Sequence, residues 1–142
     1  MRPAGDFAQI DAVGLNLHAV FDLADLPPQI AAPLRALDAD GRCTQLLLIG
    51  HGGRALWQAL AAAGLRSDNP VDDFSIVAVE RWFAAQCADR RALRAYPGPA
   101  LVPLQALGRL AGWHNDSPLG IGINARWGTW FAYRVALLAD TD

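Results

Sequence analysis

The sequence predicts an α+β fold: a mixed β-sheet with helices packed on it, closed by a C-terminal antiparallel hairpin. Three observations carry this expectation. Leu15, Leu17, Ala19, Phe21 and Leu23 alternate with Asn16, His18, Val20 and Asp22, the period-two pattern of a half-buried strand. Thr44 to Gly50 (TQLLLIG) is a continuous apolar run of strand length, as expected of a central strand. Near the C terminus, Leu119 to Ile123 and about Thr129 to Ala139 flank the turn-forming Asn124 to Gly128, which predicts two antiparallel strands.

The remaining elements follow in order. Pro27, Pro28 and Pro33 punctuate a short helical stretch from about Gln29 to Leu37, and Asp38 to Gly41 is a turn. Gly52 and Gly53 lead into a helix on which Leu56, Leu60 and Ala63 recur at helical spacing, stopped by Gly64. Asn69-Pro70-Val71-Asp72 reads as a helix start, with Asn as N-cap, Pro at the first position and Asp at the third. Val71, Phe74, Ala78, Trp82 and Ala85 then form one apolar stripe. Ala92 to Ala95 suits a short strand, and a helix runs from about Pro103 to Ala111 after the proline-marked loop. On the last strand, Trp130, Ala132, Arg134, Ala136 and Leu138 are expected on one face, with Phe131, Tyr133, Val135 and Leu137 on the other.

Composition bounds the function. A chain of 142 residues fits a single domain, residues 1–142, that can bury its own core. It is 53% hydrophobic and 18% charged, yet no apolar run reaches the ~18 residues of a membrane span. The N terminus shows no signal-peptide pattern, so a cytoplasmic protein is expected. All 12 basic residues are arginine, which excludes a Schiff-base lysine and a Walker-type phosphate loop. With a net charge of −2 and scattered arginines, neither nucleic acid nor membrane is an expected partner. Two cysteines, Cys43 and Cys87, cannot build a four-thiolate cluster, and each reads as an inert buried thiol. The three histidines lack zinc spacing, so no metal site is expected. Five tryptophans in a short apolar chain point to exposed apolar surface and a homodimer.

Three segments carry a resemblance. Ser117 to Arg134 reads SPLGIGINARWGTWFAYR, Asn69 to Asp73 reads NPVDD at a helix start, and Gly50 to Trp57 reads GHGGRALW after the apolar strand. In this order they resemble the cobalamin-processing CblC family, its bacterial ferredoxin-like relatives and, more distantly, the N-terminal domain of epoxyqueuosine reductase. The resemblance spans Gly50 to Arg134. It implies a stripped-down nitroreductase-like fold that binds a corrinoid (cobalamin) or a flavin such as FMN against its sheet and supports reductive, oxidoreductase-like chemistry. The chain departs from the family at Asn124-Ala125, where the hairpin has His-Pro, and at Arg109, where relatives have a histidine. No cysteine-rich module follows the hairpin, so no iron–sulfur cluster is expected and electrons would come from a free cofactor or a redox partner protein. Two alternatives stand beside it: a non-catalytic scaffold or partner subunit, and a flavin-dependent homodimeric enzyme.

The resemblance implies cofactor contacts at Arg134, Trp130, Tyr133, Gly122, Arg109, Gly52, Gly53 and Arg54. Arg134 interrupts an apolar strand, so its charge is either paired with a carboxylate or turned to a ligand. Trp130, on the same face, serves as the floor of a planar ring or as core packing. His51-Gly52-Gly53-Arg54, between strand and helix, is a tight turn or an anion-binding one. Asp72 reads as a capping acid, and His114 as a solvated loop residue.

Overall fold

The computed structural model describes residues 6–141. The described chain is α+β, with helices packed on a four-stranded sheet. In chain order it runs α1 (Ala8–Asp11), β1 (Leu17–Asp22), α2 (Pro28–Arg35), β2 (Gln45–Gly52), α3 (Ala55–Ala63), α4 (Pro70–Gln86), β3 (Ala92–Tyr96), α5 (Leu104–Leu110) and β4 (Phe131–Ala139). The sheet order is β1-β2-β4-β3, which makes the apolar run of β2 central, and every residue of β2 is buried.

The sheet is antiparallel throughout rather than mixed. A parallel pair needs a crossover that returns the chain to the same end of the sheet. Here β2 and β3 do run the same way, joined through α3 and α4, but β4 lies between them and opposes both, so no two neighbouring strands are parallel. The closing antiparallel pair is β3 with β4. The segment from Leu119 to Ile123 does not form the expected ladder; it contributes a single bridge, Asn115 to Ile123, and a tight Asn124–Gly128 bridge precedes β4.

Helices cover both faces. Leu47, Ile49, Val135 and Leu137 face Ile10 of α1, Leu56 of α3, and Val79 and Trp82 of α4. Leu46, Leu48, Ala136 and Leu138 face Ile30 and Leu34 of α2 and Leu107 of α5. The two-sided cover is why β2 reads as a continuous apolar run instead of an alternating one.

The expected α4 stripe is rotated. Ser75, Val79, Trp82 and Phe83 are the buried positions, Val71, Phe74 and Ala78 flank them, and Ala85 is exposed. This helix is apolar on more than one side, so its sequence pattern leaves the buried face to be chosen by the sheet. Ser75 satisfies its hydroxyl by donating to the Val71 carbonyl at 2.7 Å. The start at Pro70 and the left-handed Gly64 that ends α3 are as the sequence predicts.

One irregularity shapes the rest. Ile49 pairs with Val135 but Gly50 pairs with Tyr133, so Arg134 is the extra residue of a β-bulge. The bulge reverses the alternation. Phe131 and Tyr133 therefore pack with Ala136 and Leu138, on the α2/α5 side. The expected grouping of Arg134 with Ala136 and Leu138 is corrected accordingly: Arg134 reaches His51 and Trp57 on the α3 side.

Candidate functional site

The bulge sits where β2 and β4 run beyond the cover of β3, whose pairing stops at Ala136. A cleft of about 420 Å³ opens there between this end of the sheet and the start of α3. It is lined by His51, Gly53 and Arg54 from the turn, Trp57 from α3, and Thr129 to Ala132 and Arg134 from β4 and its approach.

Arg134 is half-buried in this cleft, and no described carboxylate lies within ion-pair distance of it. Its Nε donates to His51 Nδ1 at 3.0 Å, and its guanidinium carbon lies 5.8 Å from the centre of the Trp57 ring. Burial lowers the Arg134 pKa, while the field of Asp72, at the start of α4, favours the charge. Of the two readings open for Arg134, the carboxylate partner is therefore absent among the described residues. The charge is held by a neutral imidazole and an aromatic face.

His51 is buried and stands edge-on to Trp57, with ring centres 5.7 Å apart. Burial first, and the Arg134 charge second, push its pKa down from 6.5 to about 4. Because guanidinium can only donate, Nδ1 is the accepting nitrogen and Nε2 carries the proton. A group with a folded pKa of about 4 binds no proton at pH values where the unfolded imidazole already does. The neutral His51 thus contributes stability above pH 6.5 that is lost as pH falls towards 4. His51→Gln keeps an acceptor for Arg134 without the titration. The stability advantage of wild type over this variant is expected to shrink by on the order of 1–2 kcal/mol across that window, discounted for solvent access. Denaturant unfolding at stepped pH measures it; a constant difference refutes it.

The loop before β4 is built by Asn124, the residue that replaces the expected histidine. Its Oδ1 accepts from the Arg126 and Trp127 amides at 2.9 and 3.0 Å, and its Nδ2 donates to the Trp113 carbonyl at 3.2 Å. This Asx turn lays Trp127 against Gly52 and Gly53, where any added Cβ would run into the indole ring. Gly53 also needs its φ of +75°. Both glycines are explained by this close approach.

The sequence-selected residues divide into two groups. Arg134, Trp130, Gly53 and Arg54 line the cleft, and Gly52 lies beneath it. Tyr133 and Gly122 line a second cleft on the α5 side, which Arg134 also borders, because the bulge turns the Tyr133 ring that way. Arg109 lines neither; it is exposed and pairs with Asp116 at 2.9 Å. Trp130 is 61% exposed, so core packing is not its role. His114, expected to be solvated, is buried at 7% exposure, because Gly122 leaves room for its ring. Sequence reasoning did not assign Trp57 to the site, and it named His51 only as part of a turn that was either tight or anion-binding. The only available signal was their place in the glycine turn and first helical turn after a buried strand.

Cys43 and Cys87 offer no reactive thiol. Cys87 is buried in the core, and burial, with the Asp38 carboxylate, pushes Cys43 up to about 11. Among the described residues no group of three or more His, Cys, Asp or Glu is placed to hold a metal ion. No described helix is long and apolar enough to cross a membrane. Compared with family models and with curated proteins, the chain matches none.

Proposed function

We propose that this chain is a cofactor-binding domain whose Arg134–His51 cleft holds a planar, anionic ring system, with FMN the preferred occupant and a corrinoid the alternative. One observation carries the reading: a half-buried guanidinium without a described carboxylate, set between an imidazole and Trp57 in an open cleft. Such a charge is expensive unless a ligand completes its partners. Trp57 and Trp130 offer stacking surface, and Arg54 adds a second cation for a phosphate at the start of α3.

Size and donor chemistry favour flavin. A cleft of about 420 Å³ lies at the lower end of the ~300–1,000 Å³ range of small-molecule pockets, which suits an isoalloxazine better than a corrin macrocycle. His51 does not suit cobalt ligation, since Nδ1 takes the Arg134 hydrogen bond and Nε2 keeps its proton. Bound flavin would supply reductive chemistry. Arg134 would hold its anionic edge, Trp57 and Trp130 would orient the ring plane, and His51 would keep the guanidinium aimed. Electrons would come from a free reductant or a redox partner. A second copy of the chain, as expected of a homodimer, would cover the exposed Leu119.

Parallel titrations test this. FMN is expected to lose fluorescence on adding protein, through stacking on tryptophan, with a micromolar Kd; hydroxocobalamin is expected to bind more weakly by visible absorbance. No change with either at ~100 µM protein, which would put any affinity weaker than about −5.5 kcal/mol, refutes the reading.

A further inference from the structure

On the other face of β4 lies a hydrogen-bonded chain that the FMN reading does not use. Asp116 Oδ1 is 3.2 Å from His114 Nε2, and His114 Nδ1 is 3.4 Å from Tyr133 Oη. Arg109 anchors the outer end, its guanidinium donating to both Asp116 oxygens, closest at 2.9 Å. The hydrogen bond from Arg109 holds the Asp116 carboxyl below its usual range. Two glycines seat the rings: a Cβ at Gly108 would collide with Tyr133 Oη, and one at Gly122 would collide with the His114 ring. The chain is therefore a packed arrangement and not a chance surface contact.

Tyr133 opens into a cleft of about 380 Å³ whose apolar walls include Tyr96, Leu104, Ile121 and Phe131. Its lining holds no acidic residue, and its polar members besides the two tyrosines are Gln105, His114, Thr129 and Arg134, the last shared with the first cleft. The direction of the hydrogen bonds dictates what fits. A carboxylate only accepts, so the imidazole donates to it from Nε2. Nδ1 then accepts the single Tyr133 proton, and the phenol oxygen has only lone pairs left for the cleft. Burial raises the Tyr133 pKa, which keeps that proton in place. The next molecule in the chain must be a donor, and the apolar walls favour one with a ring.

We propose that this cleft is a second binding site, for a small neutral phenol or ring-bearing alcohol whose hydroxyl donates to Tyr133 Oη, with His114 and Asp116 as positioning residues. Thr129, Phe131, Ala132 and Arg134 line both clefts, so the titrations are run without FMN, and dependence on Tyr133 separates this site from the FMN cleft. The probes are 4-fluorophenol and fluorobenzene, which share a ring and differ by the hydroxyl, followed by fluorine NMR at pH 8. Wild type is expected to bind the phenol about tenfold more tightly than fluorobenzene, the worth of one good hydrogen bond. Tyr133→Phe should erase this preference while retaining fluorobenzene binding, and Asp116→Asn should reduce it. Amide shifts on wild type should map the phenol to Ile121, Phe131 and Tyr133, a measurement that stands even if a variant folds poorly. Equal affinity for the two probes, no binding of either at millimolar concentration, a preference that survives Tyr133→Phe, or shifts centred on Trp57 would each overturn the proposal.

Discussion

Trp82→Ala is expected to lower the free energy of unfolding by about 3–5 kcal/mol, the range for truncating a fully buried large aromatic. Trp82 is 0% exposed and lies in the α1/α3/α4 core with Ile10, Val79, Val135 and Leu137. It stacks on Phe7 with ring centres 5.1 Å apart and meets Phe83 edge-on at 6.5 Å. Its Nε1 donates to the Asp6 carbonyl at 2.9 Å, so the same side chain ties the segment before α1 to α4. Deletion therefore leaves a large cavity, an unpaired carbonyl and a loosened α1. Trp82→Phe retains most of the packing and should cost about half as much or less. Denaturant unfolding followed by far-ultraviolet circular dichroism measures both. A loss under ~1 kcal/mol for the alanine variant would show that α4 does not depend on this contact for its place on the sheet.

Arg134→Ala separates a structural charge from a ligand-binding one. Truncating one partner of a buried ion pair costs ~3–5 kcal/mol because it strands the other charge. No described carboxylate pairs with Arg134, and what it leaves behind is the neutral His51 Nδ1 in an open cleft that water can enter. The stability loss should therefore stay near 1 kcal/mol. FMN affinity should fall by about 10- to 100-fold, as for a lost charge-assisted hydrogen bond of ~1.5–3 kcal/mol. Melting temperature and the FMN titration, run on the same preparations, read the two effects. A large loss of stability in the variant with no FMN bound by wild type would make Arg134 structural and remove the main support for the flavin cleft.

The two faces of β4 explain how one short strand can border two clefts. Without the bulge, Arg134 and Tyr133 would have exchanged faces, placing the guanidinium in the α5-side core and the phenol beside His51. Instead the extra residue at Arg134 restores each to a side where its polar end has partners. Pairing with β3 stops at Ala136, so both clefts reach the strand beyond it.

Much of this molecule is written locally in its sequence. β2 follows from an unbroken apolar run bounded by polar Thr44 and the glycines. The α3 stop follows from Gly64, which alone adopts the left-handed cap without strain, and the α4 start from Pro70 at the first helical turn. These signals act over a few residues, where backbone propensity and hydrophobic spacing suffice. Arg134, Trp130, Gly53 and Arg54 are among the residues the resemblance nominates and line one cleft, whereas Tyr133, Gly122 and Arg109 do not. Tertiary structure alone decided the rest. An antiparallel sheet in place of a mixed one depends on which distant strands pair, and nothing in a strand's own pattern names its partner. The rotation of α4 depends on the sheet it meets, and the burial of His114 on Gly122 approaching from the loop before β4. The bulge at Arg134 is decided last and matters most. A one-residue register shift between β2 and β4 costs little in sequence pattern, because apolar residues occupy both faces of this sheet, yet it inverts every side chain beyond it.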